Sequence, residues 1–411
     1  MTAVVLPTPY SSPTMLTLLR ALLVLLICVV SVAPYAGADI AITLTGVAVG
    51  LAALRLPPQR LVGARPALLV VFGATCVLSM AWSVAPFSTL PSAVAILSMT
   101  VALVLALRVL SRREFLLTIS VAFRVVLIAT LLVALAVPSV GLVDENYQTG
   151  ALKGLFVHRN LLAFMALVAL ATFLVVRRYR SHRASFFDIG LAVVCLAGAQ
   201  SQTVFISAAA TTLLVLMLRW TRRYSGFTRV LLGTASSCAV GLLVYLAIFA
   251  FADIASSLGR DSTLTGRTDV WPAVLEQIAR TPILGLGWNA PWREGQPETQ
   301  RMWRAAGFKM YHSHDGYLDM LLQLGVVGLG LMSIVLVVTL IVGIASYVGR
   351  GDELAVWSTS CAIVLVMVNL TESPSTNFFG HFVLVSAFLL ARQRKPVATV
   401  SYRPVFLEGA R

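Results

Sequence analysis

Apolar residues run through this chain in long stretches separated by short polar breaks, and most stretches approach the roughly 20 residues an α-helix needs to cross a ~30 Å hydrocarbon core. Twelve runs are read: 15–34, 37–54, 66–84, 90–108, 115–137, 160–176, 187–202, 204–219, 229–251, 314–347, 355–371 and 376–391. Two excursions stand out between them, a smaller one at 138–159 and a long polar loop at 252–313. The pattern predicts an all-α integral membrane protein with about twelve transmembrane helices, a single polytopic domain over 1–411 and a basic tail at 392–411. Composition agrees: 58% of residues are hydrophobic and 12% charged, where soluble domains are about a quarter charged. The first run could instead be a signal peptide with a cleavage site at Ala36-Gly37-Ala38. A basic loop further on fits an uncleaved span better.

Charge adds the orientation. The net charge of +14 comes from 31 Lys/Arg against 17 Asp/Glu. The positives fall in alternate breaks: Arg55/Arg60/Arg65, Arg108/Arg112/Arg113, Arg177/Arg178/Arg180/Arg183, Arg219/Arg222/Arg223/Arg229 and Arg392/Arg394/Lys395. Short breaks near 35, 87, 202 and 374 carry none. Positive loops stay inside, so both termini are expected in the cytoplasm and both excursions in the periplasm or exterior; long loops largely escape the rule. A nucleic-acid surface is not needed to explain the charge, and no nucleic-acid partner is expected. The five cysteines all sit inside apolar runs, with no disulfide pair for the loop and no zinc-ligand spacing.

Within the long loop, Val270, Trp271, Val274, Leu275 and Ile278 share a face at helical spacing. This predicts a surface helix over Thr268–Arg280, with Pro272 tolerated in its first turn. A shorter helix is expected at 298–306, closed by Gly307. Ser313 reads as the N-cap of the next span, with His314 at its first position. Gly325, Gly328 and Gly330 then suggest close packing or a bend.

Several polar residues are candidates for chemistry. Arg267, preceded by Gly266, sits at the start of the predicted surface helix, where free N–H groups and the macrodipole attract anions and a guanidinium adds a fork for phosphate oxygens. A solvated loop arginine or a lipid-headgroup anchor are the plainer alternatives. His312-x-His314-Asp315 puts imidazoles at a helix start, which favours the neutral form a general base requires. An interfacial histidine pair is the plainer reading. Two histidines and one carboxylate are too few clustered ligands to predict a metal site, so no metal and no cofactor is expected. The smaller excursion ends at His158-Arg159-Asn160 and offers a second cation and an amide. Trp271, on the surface helix, is a candidate glycan contact. Glu372 is isolated in a short outer loop, and Arg124 is a mid-span charge of the kind that usually faces a cavity. No carboxylate is placed mid-span for a proton relay, and neither a Walker-type loop nor an Asp-x-Asp is present.

Three stretches together resemble the O-antigen ligase and exopolysaccharide polymerase superfamily of polytopic bacterial glycosyltransferases. Gly154-x-Phe156-x-His158-Arg159-Asn160 is similar to that family's Gly-x-Phe-x-His-Lys/Arg-Asn signature. Thr265-Gly266-Arg267-Thr268-Asp269-Val270-Trp271, with Pro282-Ile283-Leu284-Gly285-Leu286-Gly287, resembles its outer-loop block. His314-Asp315 followed by Gly325 resembles its His-Asn/Ser/Gln-x9-Gly motif, although Asp315 departs from the usual residue. That aspartate would raise the basicity of a neighbouring imidazole or alter acceptor choice.

The resemblance implies a GT-C-like helical fold in the bacterial inner membrane. It implies transfer of an undecaprenyl-diphosphate-linked oligosaccharide at the periplasmic face, with inversion and without metal or nucleotide. Arg267 would bind the diphosphate, His314 would activate the acceptor and Arg159 would be a second cation. The acceptor would be a glycan in a polymerase, the reading these motifs favour, or lipid A–core in an O-antigen ligase. Polysaccharide chain-length or export proteins would be further partners beside the bilayer. A lipid-linked glycan transporter or flippase, or a non-catalytic scaffold, are the readings from other classes.

Overall fold

The computed structural model describes residues 13–32, 37–59, 65–144, 150–229, 231–235, 239, 267–307 and 309–391; the side chains of 267–269 are not among those described. The tail 392–411, the loop before Arg267, Ala36 of the alternative cleavage site and most of the ninth run (229–251) fall outside them. Among the described residues the structure is helical apart from one isolated bridge, Leu142 to Leu152. Helices α1 (Pro13–Val32), α2 (Ala38–Leu54), α3 (Pro66–Leu78), α4 (Pro86–Val109), α5 (Arg112–Ala136), α6 (Arg159–Val176), α7 (His182–Gly198) and α8 (Gln202–Thr221) precede the long loop. Within the loop lie α9 (Arg267–Arg280) and α10 (Pro297–Ala306); α11 (Gly316–Arg350), α12 (Glu353–Val368) and α13 (Phe378–Leu390) follow.

Every apolar run but the ninth thus coincides with a helix. Six of these, α1, α4, α5, α6, α8 and α11, are long and apolar enough to cross a membrane; α2, α3, α12 and α13 are apolar but shorter. Local chemistry sets the boundaries. Proline opens α3, α4 and α10, where its missing N–H costs nothing. Ser111 and Glu114 form a capping box on α5. Ser181 caps α7, which therefore begins five residues before the apolar run does. Left-handed Gly307 and Gly351 close α10 and α11.

Packing reveals how helices apolar all round are used. On α2, Ile40, Leu44, Val47, Leu51 and Leu54 are exposed at helical spacing, while Ile42, Gly46, Val49 and Ala53 are buried. Gly46 lies against Ser98 and Met99 of α4, the close approach small residues permit between membrane helices. The exposed stripe is apolar surface suited to lipid.

The two ends of the bundle differ in chemistry. At one end the basic breaks are tied by ion pairs: Arg112 to Asp352 (2.5 Å), Arg222 to Glu353 (3.2 Å) and Arg20 to Glu114 (2.6 Å). Arg124 belongs to this network. It makes a two-pronged bond to buried Asp188 of α7 (2.6 and 2.8 Å), which also accepts from Arg180 (2.8 Å). Sequence shows the charge but not the partner 64 residues away. Arg124→Ala leaves Asp188 with one cation, so a loss of about 1–3 kcal/mol in stability is expected. Thermal unfolding of the detergent-purified protein would read it, with turnover per folded molecule unchanged.

At the opposite end, α11 is broken. Gly325 adopts φ 61°, ψ −160°, and the segment Pro282–Gly287 of the long loop lies across the break. The carbonyls of Leu322 and Gln323 accept from Leu286 and Gly287 N–H (both 2.9 Å). In turn Val326 and Val327 donate to the carbonyls of Pro282 (2.9 Å) and Ile283 (3.4 Å). The loop thus satisfies the backbone groups that a helix break would otherwise leave bare in an apolar setting. Trp82 adds a bond from its indole N–H to the Leu284 carbonyl (2.9 Å), and Asn289 reaches Ser92 (3.0 Å).

Candidate functional site

The polar loop folds down onto this broken end. Val270 and Val274 of α9 are buried with Leu286, Trp292, Met302, Trp303, Met310 and Leu322. The predicted apolar face of α9 is therefore turned to the protein, and it is narrower than the spacing suggests, since Leu275 is 52% exposed. The helix begins at Arg267 and α10 ends at Ala306, capped by Gly307, close to the expected bounds. Half-buried Trp271 donates from Nε1 to the Ser313 carbonyl (3.0 Å), which fixes α9 beside the strand of chain that carries the histidines. Arg267 stands one helical turn before Trp271. Its side chain lies outside the described residues.

The N-cap expectation needs correction. Asp315, not Ser313, caps α11, its Oδ1 accepting from Tyr317 N (2.9 Å) and Leu318 N (3.0 Å). His314 consequently lies outside the helix, in the left-handed region at φ 55°. The Oδ1 of Asp315 is thereby turned to the helix end. Ser and Asp both cap helices well; the choice between them two residues apart is made by tertiary contacts.

Glu372 brings a carboxylate to His314. Its Oε2 lies 3.4 Å from His314 Nδ1, and its Oε1 accepts from Asn160 Nδ2 (2.7 Å). His312 packs against His314 with ring centroids 4.0 Å apart, and His312 Nδ1 accepts from the His314 backbone N–H (3.2 Å). His158 caps α6 through a bond from Asn160 N (3.2 Å), holding Asn160 at the helix start. Arg159 donates to the carbonyl of Ala199 (3.1 Å) and to that of Gln200, and lies within electrostatic reach of Glu372. Of the expected residues, His312, His314, Asn160 and Glu372 meet in one cluster, Arg159 and Trp271 border it, and Arg124 does not join it. The plain reading of Glu372 as a solvated loop residue is set aside by these contacts.

Asp319 was missed by the sequence reading. Fully buried near the start of α11, it accepts from the Ser313 backbone N–H at both oxygens (3.2 Å), from Trp292 Nε1 (3.0 Å) and from the Ser373 hydroxyl. One carboxylate so ties the histidine strand, the long loop and the Glu372 loop together. The only signal in sequence was an acid inside an apolar run, which is costly unless it is satisfied. Asp319→Asn turns one acceptor into a donor facing donors. It should cost about 1–3 kcal/mol, read as a lower unfolding midpoint, and should slow any reaction that depends on where Ser313 holds His314.

Apolar helices around a single chemically equipped end define a multi-pass membrane protein with a site at one end of the bundle. Comparison with known proteins then narrows the class: residues 187–333 match the family described as O-antigen ligase. This match agrees with the resemblance carried by the motifs. That stretch contains Arg267, Trp271, His312, His314 and Gly325, whereas Asn160 and Glu372 lie outside it. The chain is also 30% identical over 269 residues to the Exopolysaccharide production protein ExoQ of Rhizobium meliloti (strain 1021). The match covers 62% of this chain and 60% of that relative's length.

Proposed function

We propose that the chain is a glycosyltransferase of surface-polysaccharide synthesis, which transfers undecaprenyl-diphosphate-linked glycan onto a growing exopolysaccharide or O-antigen chain at the periplasmic face of the bacterial inner membrane. The observation that carries this reading is the His314–Glu372–Asn160 cluster, held at the end of the bundle opposite the basic breaks. It lies beside the helix start where Arg267 stands. The exopolysaccharide role carried in the name of the similar ExoQ supports a polymerase.

In this reading the Glu372 charge, 3.4 Å from Nδ1, orients the His314 ring, and the other ring nitrogen takes the proton of an acceptor hydroxyl. The hydroxyl oxygen forms the new bond to the anomeric carbon as the bond to the diphosphate breaks. The electron pair leaves on undecaprenyl diphosphate, and direct displacement inverts the anomeric centre. Diphosphate is already a good leaving group, so the protein's task is placement and neutralisation of growing charge. Arg267, aided by the α9 N-terminus, meets that charge, and a metal is not required for it. A ligase that uses lipid A–core as acceptor is the second reading, favoured by the description of the matched family.

Purified protein supplied with an undecaprenyl-diphosphate-linked repeat unit, with and without lipid A–core, tests both. Ladders from repeat units alone are expected; a shift of lipid A–core alone would make the chain a ligase. No new glycosidic bond in either tube would leave the transporter reading. Arg267→Ala should lower turnover about 10²-fold, the effect of removing one preorganised charge-stabilising group, with folding intact.

A further inference from the structure

We propose that His312, His314 and Glu372 form a binding site for a divalent transition metal of the zinc class. The nitrogen and carboxylate atoms that these three residues offer lie within 4.8 Å of one another. A tetrahedral zinc with bonds near 2.1 Å holds neighbouring ligand atoms about 3.4 Å apart. The His314 Nδ1 to Glu372 Oε2 separation is already 3.4 Å. That nitrogen is shielded from solvent and makes no hydrogen bond, so it is available to an ion shared with Glu372.

The surroundings are organised in the way metal ligands require. Asn160 Nδ2 holds Glu372 Oε1, which orients the other oxygen toward the histidines. Two imidazoles and one carboxylate select zinc, nickel or copper over magnesium or calcium, which want oxygen ligands. Three protein ligands leave a fourth position for water. Assembly draws together ligand atoms that lie up to 4.8 Å apart and releases the 3.2 Å bond from His314 N to His312 Nδ1. Bound through Nδ1, His312 gives that lone pair to the metal; bound through Nε2, its ring proton must move to Nδ1. Either route frees the His314 N–H. Polar side chains facing the site come from three elements: Asn160 and Arg159 at the start of α6, the cation within electrostatic reach of Glu372, then Glu372 from the loop before α13, and the histidines before α11.

The consequence for function rests on the reading of His314 as the base. A metal on Nδ1 and Glu372 displaces the contact that positions the ring, so zinc would act as an inhibitor and a chelator as an activator.

The test measures metal binding separately from transfer. Full-length protein in detergent, stripped with chelator, is titrated with zinc chloride by calorimetry, and bound zinc is counted by elemental analysis after gel filtration. One zinc per chain is expected in the wild type. His312→Ala and Glu372→Gln should each lose it, and Asn160→Ala should weaken it about tenfold or more, as loss of an outer-shell partner does. His182→Ala, at the far end of the bundle, should bind as the wild type does. No uptake by the wild type, or equal uptake by the His312 and Glu372 variants, would overturn the proposal. Circular dichroism and gel filtration keep a misfolded variant from being counted, and the conservative Glu372→Gln decides if His312→Ala is unstable. Zinc binding without glycan transfer in any condition would sink the proposed function and leave the metal site standing.

Discussion

Gly325→Ala is expected to yield a protein that either does not accumulate or unfolds at a much lower temperature. Gly325 sits at φ 61°, ψ −160°, a region that only glycine occupies comfortably, at a cost of about 1–3 kcal/mol for other residues. A Cβ there would also run into the backbone of Ile283. Relieving that clash means moving the Pro282–Gly287 segment, and with it the four backbone bonds that close the break in α11. A buried backbone group left without a partner costs about 1–3 kcal/mol, so a total loss of roughly 4 kcal/mol or more is consistent with the severest class of single substitutions. Fluorescence-monitored gel filtration of a tagged protein, followed by thermal denaturation, measures it. Gly330→Ala is the control: it has open space around the added methyl and ordinary helical backbone. It should be neutral or slightly stabilising, since alanine is favoured over glycine in helices by about 1 kcal/mol. Equal behaviour of the two variants would remove the broken helix as an explanation for the glycine.

The second large effect is chemical. His314→Asn should lower turnover about 10²- to 10⁴-fold, the usual contribution of a positioned proton acceptor, and leave the unfolding midpoint close to wild type. Asparagine is the suitable replacement because His314 has φ 55°, and asparagine is among the residues that tolerate the left-handed region. Glu372→Gln retains the bond from Asn160 in one amide orientation but loses the charge facing Nδ1; an intermediate loss is expected, expressed in turnover more than in substrate affinity. Normal transfer by well-folded His314→Asn would end the assignment of this residue as the base, whatever Arg267→Ala did.

The site was only partly legible in advance. His312, His314, Arg159 and Asn160 stood out because polar residues abut apolar runs, where each must have a use or a cost. Glu372 was visible but not interpretable: it lies 58 residues from His314 in the chain, and an isolated acid in a short loop has the same local pattern whether solvated or paired. Arg124 shows the converse. A mid-span charge signals that a partner or a cavity exists, and nothing in the local pattern distinguishes the two; Asp188 supplies the partner.

Hydrophobic run length by itself determined that this is a helical membrane protein, because backbone hydrogen bonding in an apolar medium permits little else. The alternation of basic breaks separated the two ends of the bundle. Turn and cap residues placed α9 and α10 to within a residue or so, since those signals are local. Tertiary structure alone decided which of Ser313 and Asp315 caps α11, and that the loop segment Pro282–Gly287 closes the break at Gly325. It also decided that Asp319 joins three segments and that Glu372 meets His314. Each of these is a contact between chain segments whose separation in sequence carries no information about distance, and only the packing of apolar helices brings them together.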